Sequence, residues 1–440
     1  MYILFNVIMM LKRTYIFILI CVCLGMSVFS QPKINYDEEK IDLYELPDLL
    51  TLENGQKIQS IKEWENKRKT EIINLYKNEV YGRIPGRKLI PPTIEIIEQS
   101  DSALDDIAIR KQIALVYTAP GKELAINVLL YLPKDIKYPP IFMGYNFYGN
   151  HTTINDQNVI LTSSWVRNNS NFGITNNKPT EESRGKRNYR WPIKKILSEG
   201  FGIATIYYGD IDPDRNDFSD GIHPFFYTEG QNEPNDDEWG SISAWAWGIS
   251  RVMDYLETDE LLINSKFILF GHSRLGKTSL WAGALDTRFD IVISNDSGCG
   301  GAAIFRRKYG ETAAIINVNF PHWFSKNFKK YSNNENLLPV DQHMLIALIA
   351  PRPVYIASAE DDRWADPKGE FLSGYHAGPV YELYEKKGLT SSTLPTTNVP
   401  IHNTIGYHIR TGKHDVTDYD WEQFMIFANK HFKNETNLTN

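Results

Sequence analysis

The stretch Gly271-His272-Ser273-Arg274-Leu275-Gly276-Lys277-Thr278-Ser279 decides how this chain is read, because it satisfies two motifs at once. As Gly-x-x-x-x-Gly-Lys-Thr it fits a phosphate-cradling P-loop at every fixed position. Around Ser273 it is a strand-to-helix turn presenting a serine, with Gly271 two residues before it, close to a nucleophile elbow. Both need a buried strand that runs into a helix. Lys266-Phe267-Ile268-Leu269-Phe270 has the length and apolarity of such a strand, and Thr278 to Leu285 reads as the helix. The motif alone does not separate a nucleotide from an ester, so the choice falls to the rest of the chain.

The N-terminus speaks to compartment. Lys12 and Arg13 precede an apolar run from Tyr15 to Val28, and Val28-Phe29-Ser30 before Gln31 is a small-residue cleavage site, so residues 1–30 read as a signal peptide. The run falls short of the roughly 20 residues of a membrane span, with an uncleaved anchor as the alternative. The expectation is a secreted or periplasmic protein, free of the membrane once the signal is removed. Cys21 and Cys23 leave with that segment, which strands Cys299 and excludes an internal disulfide. The about 410 residues that remain suffice for one large α/β domain. Removing Lys12 and Arg13 takes the net charge from −7 to −9. An acidic chain without basic runs argues against nucleic acid as a partner. Its many Trp and Tyr rings suit stacking on sugars, although most are expected in the core.

Along the chain, Ile61 to Glu79 reads as an amphipathic helix, with Ile61, Trp64, Ile72, Ile73 and Tyr76 near one face, ended by Gly82, Pro85 and Gly86. Thr93 to Glu98, Gln112 to Tyr117 and Ala125 to Leu132 are strand-like, within an N-terminal extension at about 31–135. Pro139 to Tyr145 is a buried strand. Asn150 to Tyr189, rich in Asn, Ser, Thr and Arg, reads as a long surface loop. Strands and helices then alternate: helix Ile193 to Ser198, strand Gly202 to Tyr208, helix Ser243 to Leu256, the Ser273 unit, strands Ile291 to Ser294 and Val354 to Ala357, and a last helix from Asp418 to about Phe432. Such alternation predicts a mostly parallel, doubly wound sheet with helices on both faces, a three-layer αβα sandwich, as a single domain over 31–440.

In such a sheet, sites lie beyond the carboxyl ends of the strands. The ionisable residues in those places are Ser273, then Asp296, then Glu360, Asp361 and Asp362, with His414 just before the last helix. Serine, acid, histidine is the chain order of an α/β-hydrolase. The chemistry needs that set, because a serine hydroxyl is a poor nucleophile until an imidazole takes its proton and a carboxylate fixes the tautomer. Arg274 is placed to add a guanidinium to the turn amides that meet the oxyanion. The P-loop fares worse. It would follow at least six strands rather than the first, it lacks a paired magnesium carboxylate, and an exported protein meets little nucleotide. The hydrolase fit has a departure too: Gly276 stands three residues after Ser273, and Leu275 occupies the usual glycine position.

At this point the chain resembles a known family. Gly-x-Ser-Arg-x-Gly-Lys is the signature of the glucuronoyl esterases, carbohydrate esterase family 15, and Gly271 to Lys277 is similar to its bacterial form. The likeness extends to Tyr81-Gly82-Arg83-Ile84-Pro85, Asn146 to Thr152, Arg190-Trp191-Pro192, Asp296 to Gly301, Phe320 to Phe324 and Asp362 to Asp366, and so to nearly the whole mature chain. It implies a serine esterase acting on 4-O-methyl-glucuronic acid esters that join xylan to lignin alcohols. It implies Ser273 as nucleophile, Arg274 as oxyanion stabiliser, His414 as general base, Lys277 and Glu311 as sugar-binding polar residues, and Trp364 as a stacking aromatic. The family places its acid at either of two positions. The first usually reads Glu-Ser-Gly but here is Asp296, shorter by one methylene, so Asp362 at the second is favoured and both can contribute. The resemblance also suggests a monomer.

Other readings stand beside these. His376, His402 and His408 compete with His414 for the base. Arg274 and Lys277 could be surface cations, Glu311 a helix N-terminal charge and Trp364 core. Cys299 reads as a buried small residue. No histidine shows metal-ligand spacing, and neither cofactor nor metal is expected. Hydrolysis of acetylated xylan on the same fold, or a non-catalytic carbohydrate-binding relative, are the alternative functions.

Overall fold

Six short strands, five of them apolar runs, form the parallel centre of one sheet, and in all six every residue is buried, as expected of strands covered on both faces. This computed structural model describes residues 34–86 and 88–436, and those from Asn35 onward form one unit. The signal peptide read at 1–30 lies outside the described residues. Among them no helix is long and apolar enough to cross a membrane.

The strands are β1 (Thr93–Ser102), β2 (Ala108–Ala119), β3 (Lys122–Pro133), β4 (Ile141–Asn146), β5 (Gly202–Tyr207), β6 (Phe267–His272), β7 (Ile291–Asn295), β8 (Val354–Ala359), β9 (Ile401–His402) and β10 (Ile405–Arg410). They order as β1-β2-β3-β5-β4-β6-β7-β8-β10-β9. From β5 to β10 neighbours run parallel, whereas β1, β2 and β3 add antiparallel at one edge and β9 at the other. β2 turns into β3 through Pro120-Gly121, where proline presets the first corner and Gly121 takes the positive φ of 72° that the second requires. β1, at the edge, is largely exposed.

The principal helices are α1 (Lys69–Glu79), α2 (Ile193–Ser198), α3 (Ser241–Leu256), α4 (Arg274–Leu285), α5 (Pro367–His376) and α6 (Asp418–Thr436). Alternation along β6 shows the layering. Phe267 and Leu269 join a core with Trp245 of α3 and Trp281 of α4, while Ile268 and Phe270 join a second core with Ile196 of α2 and Trp421 of α6. The α/β-hydrolase fold expected from the sequence is the fold observed.

Three details differ from the sequence reading. The helix over 61–79 is interrupted by a π-turn at Trp64–Arg68. The added residue rotates the first turn, so Ile61 is 43% exposed while Trp64, Ile72 and Tyr76 are fully buried. The Asn150–Tyr189 segment is not a surface loop. It is a chain of 3-10 turns with a small hairpin, and His151, Val159, Val166 and Ile174 lie inside. Its polar side chains serve as internal partners, as where Ser183 Oγ meets His151 Nε2 at 2.8 Å. Finally, β10 carries no strand signal because Gly406, His408 and Arg410 interrupt its apolar residues, and the two charged-type side chains are buried only because Asp420 of α6 pairs with both.

Candidate active site

The turn between β6 and α4 puts Ser273 at φ 59°, ψ −130°, a strained conformation for a residue with a side chain. The surroundings hold it there. Ser273 N donates to Asn295 O at 2.8 Å, and Gly276 N donates to Ser273 O at 2.8 Å. A Cβ on Gly271 would lie 2.0 Å from Leu275 O, so only glycine fits two residues before the serine. A Cβ on Gly276 would sit 3.0 Å from Ser297 Cβ, whereas Leu275 is buried in the core. That accounts for the displaced glycine: here the crowding falls three residues after the serine, not two.

His414 comes from the β10–α6 loop. Its ring centroid is 4.6 Å from that of His272, the residue before Ser273, and its Nδ1 meets Asp362 Oδ2 at 2.6 Å. Asp296 lies close by. One ligating atom each from Asp296, Asp362 and His414 falls within 4.8 Å of the others, a donor set that would also suit a divalent cation and that sequence spacing hides because the three come from separate segments. The two acids are treated differently. Asp362 bonds the imidazole. Asp296 instead accepts from Asp415 N at 3.2 Å and Arg410 Nη2 at 3.4 Å, and its Oδ1 has no partner. Burial pushes the Asp296 carboxyl well above the usual carboxylate range, with Asp362 and Glu370 adding to the rise.

Arg274 is neither free nor on the surface. It is bonded to Asp214, and its guanidinium lies 4.7 Å from the Trp323 ring. Asp214 also accepts from Trp323 Nε1 at 2.8 Å and Tyr208 OH at 3.1 Å, and lies 2.8 Å from His322 Nε2. Burial alone would raise that carboxyl, but Arg274 and His322 outweigh it and hold it well below the ordinary range. Sequence reasoning missed Asp214, which lies beyond the end of β5 behind Asp210 and Asp212 rather than directly after the strand as Ser273 and Asp296 do.

Lys277 turns inward. Its Nζ donates to Ser297 O at 2.5 Å and Cys299 O at 2.7 Å and lies 3.9 Å from Glu311 Oε2. Burial lowers the lysine and raises Glu311, and each opposes the shift of the other. Trp364, partly exposed, lies beside Glu311, and its backbone carbonyl accepts from Glu311 N at 3.0 Å. These three residues are therefore one cluster. A lysine so engaged leaves no cradle for a phosphate. Glu370, also missed, is buried beneath the same turn, where it accepts from Ser297 N at 2.7 Å and Gly298 N at 2.9 Å, and burial pushes it up to about 8.

Among the competing histidines, His408 is fully buried between Asp420 and Tyr355 rather than at the surface. Cys299 is buried, and burial lifts its thiol far from ionisation.

The family profile described as glucuronyl esterase of fungi matches residues 192–385. A carbohydrate esterase of an unknown prokaryotic organism is 47% identical over 428 residues, covering 96% of this chain and 99% of that one. A 4-O-methyl-glucuronoyl methylesterase of Phanerochaete chrysosporium is 36% identical over 197 residues, 40% of each chain. Among solved structures, a promiscuous esterase of carbohydrate esterase family 15 from a marine bacterial metagenome superposes with a TM-score of 0.85 at 48% identity, over 91% of this chain and 100% of that one. A glucuronoyl esterase from Solibacter usitatus gives 0.82 at 45%, over 89% and 99%. Near-complete coverage at this identity, on the same fold, means that the chain belongs to the glucuronoyl esterases of carbohydrate esterase family 15 and is a carboxylic ester hydrolase.

Proposed function

We propose that the protein hydrolyses esters of 4-O-methyl-glucuronic acid carried on xylan, releasing lignin-type alcohols outside the cell, through an acyl-enzyme on Ser273. The observation that carries this reading is the meeting of three units at one end of the sheet: the strained Ser273 turn, the His414–Asp362 pair, and the Lys277–Glu311–Trp364 cluster. Substrate binds with its uronate ring against Trp364 and its hydroxyls toward Lys277 and Glu311. Asp362 holds the Nδ1 proton of His414, which leaves Nε2 as the base. Nε2 takes the Ser273 proton as Oγ attacks the C6 carbonyl. Arg274, pinned by Asp214, faces the oxyanion without reorganising. His414 then protonates the departing alcohol oxygen, the C–O bond breaks, and a serine ester remains. Water attacks that ester while His414 takes its proton, and the proton returns to Oγ as uronate leaves.

Asp362 is assigned as the triad acid on its contact with Nδ1. Asp296, buried and favoured in its protonated form, supports the loop.

The test is hydrolysis of benzyl glucuronate beside an aryl acetate by wild type and Ser273→Ala. Turnover of the uronate ester should fall on the order of 10⁴-fold or more in the variant. Full activity in the variant would refute the mechanism. A second reading, hydrolysis of acetate and other simple esters at the same serine, is favoured by the description of the marine metagenome relative as promiscuous. Wild-type activity on acetate alone would select it.

A further inference from the structure

The segment Ile34 to Ile41 runs over the surface without entering the core, and none of its residues is buried. Core packing therefore does not hold it. Polar and aromatic contacts do, and they have one destination. Asn35 O accepts from Gly310 N at 2.8 Å, and Tyr36 O accepts from the Arg363 guanidinium. The Glu38 carboxylate lies 2.6 Å from Arg307 Nη2 and 2.8 Å from Lys368 Nζ. Among the described residues, the hydrogen bonds and ion pairs that leave this segment from Asn35 to Glu38 end on those four residues.

Gly310 and Arg363 stand directly before Glu311 and Trp364, two members of the cluster beside the serine turn. The two segments already meet through their main chains. Glu311 N donates to Trp364 O at 3.0 Å, and a Cβ on Gly310, at φ 62°, would lie 2.4 Å from the same oxygen. With no slack between them, a shift of one segment is felt by the other. The Tyr36 ring adds a wedge. Its centroid is 6.0 Å from that of Tyr309, edge to face at 81°, and 5.0 Å from the guanidinium carbon of Arg363, whose Nε donates to Tyr309 OH at 3.1 Å. Asn35 to Glu38 thus ties the segment that carries Glu311 to the segment that carries Trp364, from outside.

Resting on the proposed uronate binding by Glu311 and Trp364, we infer that Asn35, Tyr36 and Glu38 are positioning residues for substrate, a strap that fixes the spacing between the Glu311 carboxylate and the Trp364 ring. Both groups sit outside the sheet and the principal helices, where a site holds its geometry only through its supporting contacts. A ring and a carboxylate that grip one sugar must keep their separation. The strap touches no reacting atom, so it acts on binding rather than on the chemical step.

The test compares the chain begun at Gln31 with one begun at Asp37, which keeps Glu38 and loses both carbonyl ties, and with Tyr36→Ala. The shortened chain loses no buried residue of the described structure, so its thermal midpoint should hold. Tyr36→Ala, at a 37% exposed ring, keeps the test open if that midpoint falls. KM for benzyl glucuronate should rise about three- to tenfold in the shortened chain, the worth of one or two hydrogen bonds, and by less in Tyr36→Ala, with kcat held. The rate at which a small alkyl fluorophosphonate labels Ser273 reads the triad without the sugar wall and should not change. Unchanged KM in both variants, or labelling that falls in step with uronate turnover, would overturn the strap while leaving the esterase intact. Failure of wild type on every uronate ester would instead overturn the function on which it rests.

Discussion

The serine and the histidine of this site are held by opposite means. Ser273 is fixed by backbone: a strand, a helix, two glycines and main-chain hydrogen bonds leave its turn no alternative. His414 sits 40% exposed on a short loop, fixed by side chains from elsewhere. Asp362 bonds its ring, and Arg410 donates to the carbonyls on both sides of it, Lys413 at 3.0 Å and Asp415 at 2.6 Å. A backbone-built geometry tolerates few residue types, and its long-range bond, to Asn295 O, depends on no side chain. A side-chain-built one can be loosened without unfolding anything. The histidine side is thus where catalysis and stability should come apart.

That contrast breaks most sharply at the two acids. Asp362→Asn should lower kcat on the order of 10³- to 10⁴-fold with little change in KM, as loss of the tautomer-fixing carboxylate does. Asp296→Asn should cost at least tenfold less. Equal losses would mean that both acids serve His414, and the reverse order would move the triad acid to Asp296.

Arg410→Lys should reduce kcat about 10- to 100-fold, the scale of a small misplacement of a catalytic group. Because Arg410 acts through His414, the same substitution in a His414→Ala background should add almost nothing. Additive losses would make Arg410 a general structural residue.

On the serine side the effect is on stability. The carboxyl of Asp214 is held below its unfolded range, so its contribution is complete above the unfolded pKa of about 4 and is lost as pH falls from there toward the lower folded value. Asp214→Asn should therefore destabilise the protein at pH 7 by about 3 kcal/mol, since it leaves Arg274 buried without its counter-charge. Its stability should also decline less steeply than wild type below pH 4. Denaturant unfolding at pH 7 and pH 3 checks both, and parallel acid limbs would remove Asp214 from the account.

Much of the site was legible because its residues stand where strands end. The rule that exposes Ser273, Asp296 and Asp362 does not single out Asp214, which follows the end of β5 only after Asp210 and Asp212. Arg410 and Glu370 were out of reach for a different reason. Each is a buried ionisable residue inside a regular element, and nothing in local sequence distinguishes it from a surface one until its partners are known.

By itself, the sequence determined the alternation of strands and helices, the serine turn, and the order of serine, acid and histidine. Those follow from local periods and from glycine sterics, which act over a few residues. Only the tertiary structure decided which acid bonds His414, that Arg274 is pinned by Asp214, and that Lys277, Glu311 and Trp364 form one cluster. Those contacts join residues 34 to 60 positions apart, and their energies depend on burial and charge neighbours that exist only once the chain has folded.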